Sequence, residues 1–169
     1  MDELLVRKAI KGDRESFGQL IVLVRDHAYR VAYCYLRNEE DSMDAVCDAV
    51  EKAFCNLKKL KEPRYFKTWF IRITINECKV QLRNRKKVEY LADDIFVQPD
   101  SNFKDEKLDL NKVLGQLQAI DRLLIYMKYY MGYTLDEIAA ATDMPAGTVK
   151  TRIYGNLKVL KSRLEVSEA

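Results

Sequence analysis

The spacing of apolar residues predicts two helices in the first third of the chain. From about Asp13 to about Arg37, apolar residues recur every three or four positions, which is typical of a helix with one buried face. Asp13 or Ser16 can cap this helix, and Asp41 can cap a second helix that ends near Leu57. The first buried face comprises Phe17, Leu20, Ile21, Val24, Ala28, Val31, Ala32 and Tyr35, and the second Ala45, Val46, Ala49, Val50, Ala53, Phe54 and Leu57.

The helical pattern is interrupted at Pro63 and then resumes. A third helix is predicted from about Phe66 to about Arg85, because proline breaks the preceding pattern and helical spacing follows it. Farther along, one helix is expected to end near Gln118 and another to span about Ile120 to Met131. We find no strand hairpin pattern and no internal repeat, so the predicted fold class is all-α.

A stretch without clear periodicity separates the two halves. Residues 88–106 carry Pro99 and mostly acidic charges, and they exceed the length of an ordinary loop. We therefore expect two small helical domains, 1–87 and 107–169, joined by a flexible linker.

The segment Tyr133–Leu164 has the pattern of a helix-turn-helix. Thr134 and Glu137 have the spacing of a capping box, and Pro145 suits the entry to the second helix of the motif. The inner positions of that second helix are Val149, Ile153, Leu157, Leu160 and Leu164.

The outward positions of the second helix suit DNA. A recognition helix places its N-terminal residues nearest the bases, and hydroxyl, ammonium and guanidinium groups contact bases and phosphates. These positions are Thr148, Lys150, Thr151, Arg152 and Tyr154. A helical hairpin with a solvated basic face would fit the same residues.

The third predicted helix interleaves aromatic residues with cations, a pattern that suits unstacked bases. The aromatics are Tyr65, Phe66, Trp69 and Phe70, and the cations are Arg64, Lys67, Arg72, Lys79 and Arg83. For any single aromatic, core packing is the favoured interpretation over a DNA contact. The basic residues 83–87 fit a solvated helix end and a phosphate-binding patch equally.

Charge is segregated along the chain, although the net charge is only +3. Acids concentrate at and just before the second predicted helix, and bases concentrate in the third helix and the helix-turn-helix. The acids are Glu39, Glu40, Asp41, Asp44, Asp48 and Glu51. His27 is the only histidine, and the four cysteines form no C-x-x-C pair, so we expect neither a metal site nor a catalytic site nor a cofactor.

The cell compartment follows from the cysteines and the chain start. The cysteines are expected to be reduced core residues of a cytosolic protein. The first residues are too charged for a signal peptide, and no stretch approaches the roughly 20 apolar residues of a membrane span.

From about Leu4 to Leu164 the chain resembles the extracytoplasmic-function branch of the bacterial sigma-70 family. The segment EEDSMDAVCDAVEKAF is similar to region 2.2, FKTWFIRITIN to regions 2.3 and 2.4, and YTLDEIAAATDMPAGTVKTRIYGNLKVL to region 4.2. The resemblance implies that 1–87 is sigma region 2 and that 107–169 is sigma region 4. It also implies an alternative sigma factor that directs core RNA polymerase to promoters in response to cell-envelope stress.

The resemblance assigns roles to individual residues. The implied minus-35 contacts are Gly147, Thr148, Lys150, Thr151, Arg152 and Tyr154. The implied minus-10 contacts are Lys61, Trp69, Arg72, Asn76, Lys79 and Arg83. The implied docking residues for the beta-prime clamp helices are Asp41, Asp44, Asp48 and Glu51. Gly155 stands where the family usually has arginine, Val80 where a polar residue is common, Cys47 where glutamine is common, and Val50 where an aromatic is common.

The resemblance also implies partners besides core polymerase and promoter DNA. Region 4 would contact the beta flap. The protein would be a monomer when free, and an anti-sigma factor, often membrane-anchored, would hold it inactive at the inner face of the membrane. Two other classes stay open on the residues alone: a stand-alone DNA-binding regulator with a dimerising or sensing N-terminal half, and a nucleic-acid enzyme that uses the acidic helix.

Overall fold

The computed structural model describes residues 2–91 and 115–167 of the chain. The chain divides into two compact units, Met1–Gln98 and Pro99–Ala169. The described residues form α-helices, short 3₁₀ turns and loops, with no strand among them. The prediction of an all-α fold with two helical domains is confirmed.

Seven α-helices account for most of the described residues. The first unit contains α1 (Glu3–Ile10), α2 (Arg14–Leu36), α3 (Glu39–Asn56) and α4 (Phe66–Leu91), with 3₁₀ turns at Leu57–Lys59 and Pro63–Tyr65. The second unit contains α5 (Ala119–Tyr129), α6 (Leu135–Thr142) and α7 (Ala146–Ser167). Helix α1 was not predicted from the sequence, because only Val6 and Ala9 of its eight residues are buried.

The capping residues of α2 and α3 differ in part from the prediction. The Asp13 carboxylate caps α2 by accepting a hydrogen bond from the Glu15 N–H, and the Ser16 hydroxyl donates to the same carboxylate. The prediction that Asp41 caps α3 was wrong. The Asn38 side chain is the cap, and its Oδ1 accepts from the Asp41 N–H at 2.8 Å.

Helices α2, α3 and α4 pack pairwise to form the core of the first unit. Helix α3 presents small residues there, since Ala45, Ala49 and Ala53 are fully buried. Small side chains let neighbouring helices approach closely. Large side chains fill the remaining space: Phe66 and Phe70 of α4 are fully buried, and each such residue contributes about 1.5–3 kcal/mol.

A half-buried ion pair joins α3 to α4. The Lys52 Nζ lies 2.6 Å from Glu77 Oε2, and the Glu77 side chain is only 6% exposed whereas Lys52 is 54% exposed. A nearly buried carboxylate requires a charge partner or hydrogen bonds. The pair therefore fixes how α3 lies against α4.

The second unit is built around the predicted helix-turn-helix. The capping box is present, with the Thr134 N–H donating to Glu137 Oε2 at 2.8 Å and the Glu137 N–H donating to Thr134 Oγ1 at 3.2 Å. Asp143 ends α6 in the left-handed conformation, with φ at 59°. The core residues include Leu123, Leu124, Met127, Ile138, Val149 and Ile153.

The cysteines do not all lie in the core. Cys78 is buried and Cys34 is half-buried, but Cys47 and Cys55 are exposed, so the core prediction was wrong for the last two. Both lie on the side of α3 away from its buried alanines. All four cysteines are free thiols.

Helix α4 extends to Leu91, so residues 88–91 of the expected linker are helical. The rest of the expected linker, including Pro99, and the expected start of the second domain at 107 lie outside the described residues. None of the helices in the described ranges combines the length and the apolar character that crossing a membrane requires.

Candidate nucleic-acid and polymerase surfaces

The N-terminal part of α7 carries one exposed polar face. Its residues are Gly147, Thr148, Lys150, Thr151 and Tyr154, all exposed, with Tyr154 at 51%. The opposite face is anchored, because Val149, Ile153 and Leu160 are buried. The Thr151 hydroxyl donates to the Gly147 carbonyl at 2.9 Å, so Lys150 and Tyr154 are the long side chains free to reach out from this face.

Arg152 differs from the rest of the predicted minus-35 set. It is half-buried on the flank of α7, and its Nε lies 3.5 Å from Asp121 Oδ1 on α5. With 3.6 residues per turn, Arg152 lies only about 60° from Val149 around the helix axis. Helical spacing therefore turns Arg152 toward α5, away from the centre of the exposed face.

Helix α4 carries a second polar face with a basic stripe. Arg72, Asn76, Lys79 and Arg83 follow one another at intervals of four, three and four residues, which places them on one side of the helix. Arg72, Asn76 and Arg83 are exposed and Lys79 is half-buried. The predicted minus-10 residues of α4 thus share one surface.

Two further predicted minus-10 residues lie near the start of α4. Lys61 is exposed in the loop between the two 3₁₀ turns, and Trp69 is half-buried with its ring centroid 6.0 Å from that of Phe66. Phe66 and Phe70 are fully buried, so these two aromatics pack in the core. Tyr65 is 52% exposed, with the Arg64 guanidinium 4.8 Å from its ring centroid, and is thus the exposed aromatic of this segment.

The acidic face of α3 is exposed over three of its four predicted docking residues. Asp44, Asp48 and Glu51 are exposed at intervals of four and three residues, on one side of the helix. Asp41 is half-buried, and Arg85 Nη1 lies 3.5 Å from its Oδ2. Its carboxylate therefore already has a cation partner from α4.

An apolar edge lies next to the acidic face and was missed from the sequence. Met43 is 56% exposed, and Phe54, which was predicted to be core, is 48% exposed. The Phe54 ring contacts Phe17 edge-on, with centroids 5.2 Å apart, so one side is packed and the other meets solvent. The sequence did contain a signal for this exposure. Residues three or four apart share one side of a helix, and neither Met43 nor Phe54 has that spacing from the buried alanines of α3.

No group of three or more metal-ligating side chains occurs among the residues that the structure describes. The lone His27 has its pKa lowered, first by desolvation and then by the nearby cations Lys67 and Arg30. The exposed side chains of these surfaces carry charges and hydrogen-bonding groups.

Two family models match the chain. "Sigma-70 region 2" matches residues 20–88 and "Sigma-70, region 4" matches residues 107–154, and together they cover more than half of the chain. The first match contains the faces of α3 and α4, and the second contains the exposed face of α7.

Curated relatives match over almost their whole length. The chain is 29% identical over 162 residues to the RNA polymerase sigma factor SigV of Bacillus subtilis (92% of this chain, 96% of the relative). It is 27% identical to the ECF sigma factor SigW of the same organism (96% and 98%), and 26% identical to the ECF sigma-E factor of Escherichia coli (97% and 94%).

Solved structures share the fold. The sigma factor RpoE of Bartonella quintana, in complex with the anti-sigma factor NepR, matches with a TM-score of 0.75 at 24% identity (90% of this chain, 98% of that one). CnrH, in complex with the cytosolic domain of CnrY, matches with a TM-score of 0.72 at 23% identity (98% and 97%).

Proposed function

Since this chain belongs to the sigma-70 family, as a member of its extracytoplasmic-function branch, we propose that its two helical units divide promoter recognition between them. The protein is an RNA polymerase sigma factor: it binds core polymerase and directs promoter-specific transcription initiation, and it is not an enzyme. The proposal concerns which surface performs which step.

Helix α7 reads the minus-35 element as duplex DNA. The observation that carries this proposal is the exposed face of α7, where Lys150 and Tyr154 project beside Thr148 and Gly147 while the opposite face is anchored in the core. A face rigidly held from behind suits the major groove, because base reading requires donors in fixed positions. Thr151 and Arg152 complete the proposed set.

Helix α4 and the preceding loop meet the minus-10 element. The stripe of Arg72, Asn76, Lys79 and Arg83 combines cations for the backbone with an amide that can hydrogen-bond base edges. Trp69, three residues before Arg72 on α4, and Lys61, in the loop that precedes the helix, complete the proposed minus-10 set. Single-stranded bases need both a charged track and aromatic surface, and this segment offers both.

Helix α3 docks on core polymerase. Asp44, Asp48 and Glu51 form a solvated acidic face that complements a basic partner, and charge complementarity of this kind speeds and orients association. Asp41 belongs to the same proposed set, at its edge beside Arg85. The second unit would contact the beta flap.

An anti-sigma factor controls the chain in this proposal. One solved structure above contains the anti-sigma factor NepR, and the other contains the cytosolic domain of a second protein, CnrY. We place the chain in the cytoplasm as a monomer, held at the inner face of the membrane by an anchored partner and released by envelope stress. Two small units can each bind the same partner, and the first contact raises the effective concentration for the second.

Reconstitution with core polymerase tests the proposed function. The purified chain, mixed with bacterial core enzyme, should yield transcripts that depend on both promoter elements. A stand-alone regulator would instead bind a duplex site tightly without polymerase, and that result would overturn the proposal.

A further inference from the structure

Asp121 on α5 is an acidic residue in the interior of the second unit. It is 8% exposed overall, and its Oδ1 accepts no hydrogen bond from any residue that the structure describes. A buried carboxylate oxygen without hydrogen bonds is costly unless a cation compensates it. The cation at this oxygen is Arg152, whose Nε lies 3.5 Å away.

The contact joins the recognition helix to the helix beneath it. Arg152 belongs to α7, between the buried residues Val149 and Ile153, and Asp121 lies in the first turn of α5. A guanidinium is planar and holds its donors in a fixed fork, so it constrains rotation more than an ammonium would. The pair can therefore set how α7 is rotated about its own axis.

We infer that Arg152 is a positioning residue, which holds the exposed face of α7 at its working angle through Asp121 instead of reading a base itself. The inference rests on the proposed function and refines it. The base-reading set then reduces to the exposed residues of α7, chiefly Lys150 and Tyr154, and Asp121 joins the residues that determine specificity although it touches no DNA.

The experiment compares four variants of the full chain in complex with core polymerase. They are Asp121→Asn, Arg152→Ala, the double variant and Lys158→Ala. Lys158→Ala is the control, because it removes an exposed charge from α7 and leaves the Asp121–Arg152 pair intact. Transcription is measured from one promoter and from derivatives substituted singly at each minus-35 position. Discrimination is the amount of transcript from the intact promoter divided by the amount from each derivative. The thermal melting temperature is recorded for every variant.

The two single variants of the pair are expected to change discrimination in the same way across the minus-35 positions. Asp121→Asn and Arg152→Ala should each lower discrimination by about fivefold at all minus-35 positions together, a size within the usual coupling between contacting residues. The double variant should be no worse than Arg152→Ala. Lys158→Ala should leave the profile unchanged.

Three results would overturn the inference. Arg152 contacts DNA directly if Asp121→Asn preserves or raises minus-35 discrimination while Arg152→Ala lowers it at one position. The pair is merely structural if both variants melt earlier with discrimination unchanged. If the wild-type chain gives no promoter-dependent transcripts, the proposed function fails, and this inference fails with it.

A conservative variant covers the case in which Asp121→Asn does not fold. Arg152→Lys keeps the charge near Asp121, so a positioning role predicts partial recovery of discrimination at every position relative to Arg152→Ala. Loss confined to a single minus-35 position in Arg152→Lys would contradict the inference.

Discussion

Lys150 and Tyr154 lie four residues apart on the exposed side of α7, where a base-reading residue must be. Replacing either with alanine should weaken minus-35 binding by about 1–3 kcal/mol and relax preference at specific positions, if each contacts bases. Lys161 is also exposed but lies farther along the helix, so Lys161→Ala should cost less.

Transcription from promoters with single minus-35 substitutions checks this prediction. Lys161→Ala is the matched control, since it removes the same charge from the same helix. If the Lys150 and Tyr154 variants keep the wild-type preference at every position, α7 does not read bases in the proposed way.

The thiols should separate by reactivity. Cys47 and Cys55 are exposed, whereas burial raises the pKa of Cys78 to about 12, so its thiolate is scarce near neutral pH. An alkylating reagent followed by mass spectrometry should label Cys47 and Cys55 quickly and Cys78 only after unfolding. Equal labelling rates for Cys78 and Cys47 in the native protein would contradict the burial of Cys78.

The same thiol makes stability depend on high pH. The thiol of Cys78 has an ordinary pKa of 9.0, and burial raises this pKa to about 12 in the folded chain. As the pH rises, the unfolded chain therefore loses this proton before the folded chain does. The associated stability is therefore complete below pH 9 and is lost progressively as the pH rises toward 12.

At the scale of helices, the Lys52–Glu77 pair links the proposed docking helix to the proposed minus-10 helix. Lys52→Ala would leave the Glu77 carboxylate nearly buried without its cation, which should lower the free energy of unfolding by about 1–3 kcal/mol. Chemical denaturation monitored by circular dichroism measures the change.

Two further variants control this prediction. Lys58 is exposed in a 3₁₀ turn, and Lys58→Ala should change stability by less than about 0.5 kcal/mol. Adding Glu77→Gln to Lys52→Ala should recover part of the loss, because the uncompensated charge is then removed. Equal stability of Lys52→Ala and the wild-type chain would show that the pair contributes nothing.

The acidic face of α3 makes a separate prediction. Reversing charge at Asp44 and Asp48, singly and together, should weaken binding to core polymerase while leaving the fold intact, because both side chains are solvated. Asp26→Lys reverses another exposed acid, on α2, and is the control. Co-purification of the double variant with core enzyme at the wild-type level would contradict the docking role.

The helices were largely predictable, and the departures have local causes. Apolar spacing gave α2, α3 and the helix-turn-helix, because long amphipathic helices repeat their signal over several turns. Helix α1 was not predicted, because its eight residues are too few to repeat the apolar spacing over several turns. The cap of α3 was misplaced because Asn38 and Asp41 are both good capping residues, and only backbone geometry decides between them.

The surfaces were harder to predict than the helices. Outward and inward positions on α7 followed from periodicity, but Arg152 lies on the border between them, and its partner Asp121 is far away in sequence. The exposure of Phe54 and Cys47 likewise depends on which side of α3 the other helices cover. Such contacts are set by tertiary packing, which a single sequence does not display.

For the whole molecule, the central claim is that two separate units read two promoter elements while a third surface holds polymerase. Each unit has its own buried core, so each can present a rigid surface. If the two units read DNA as proposed, promoters should contain two short motifs at one preferred separation.

Selection from DNA randomised upstream of a start site tests this most directly. Transcripts made by core polymerase with the chain should come from templates sharing two motifs at one spacing, and Lys150→Ala should change only the upstream motif. Core polymerase alone should select neither. A single palindromic motif, or the same motifs selected without the chain, would contradict the division of promoter recognition between the two units.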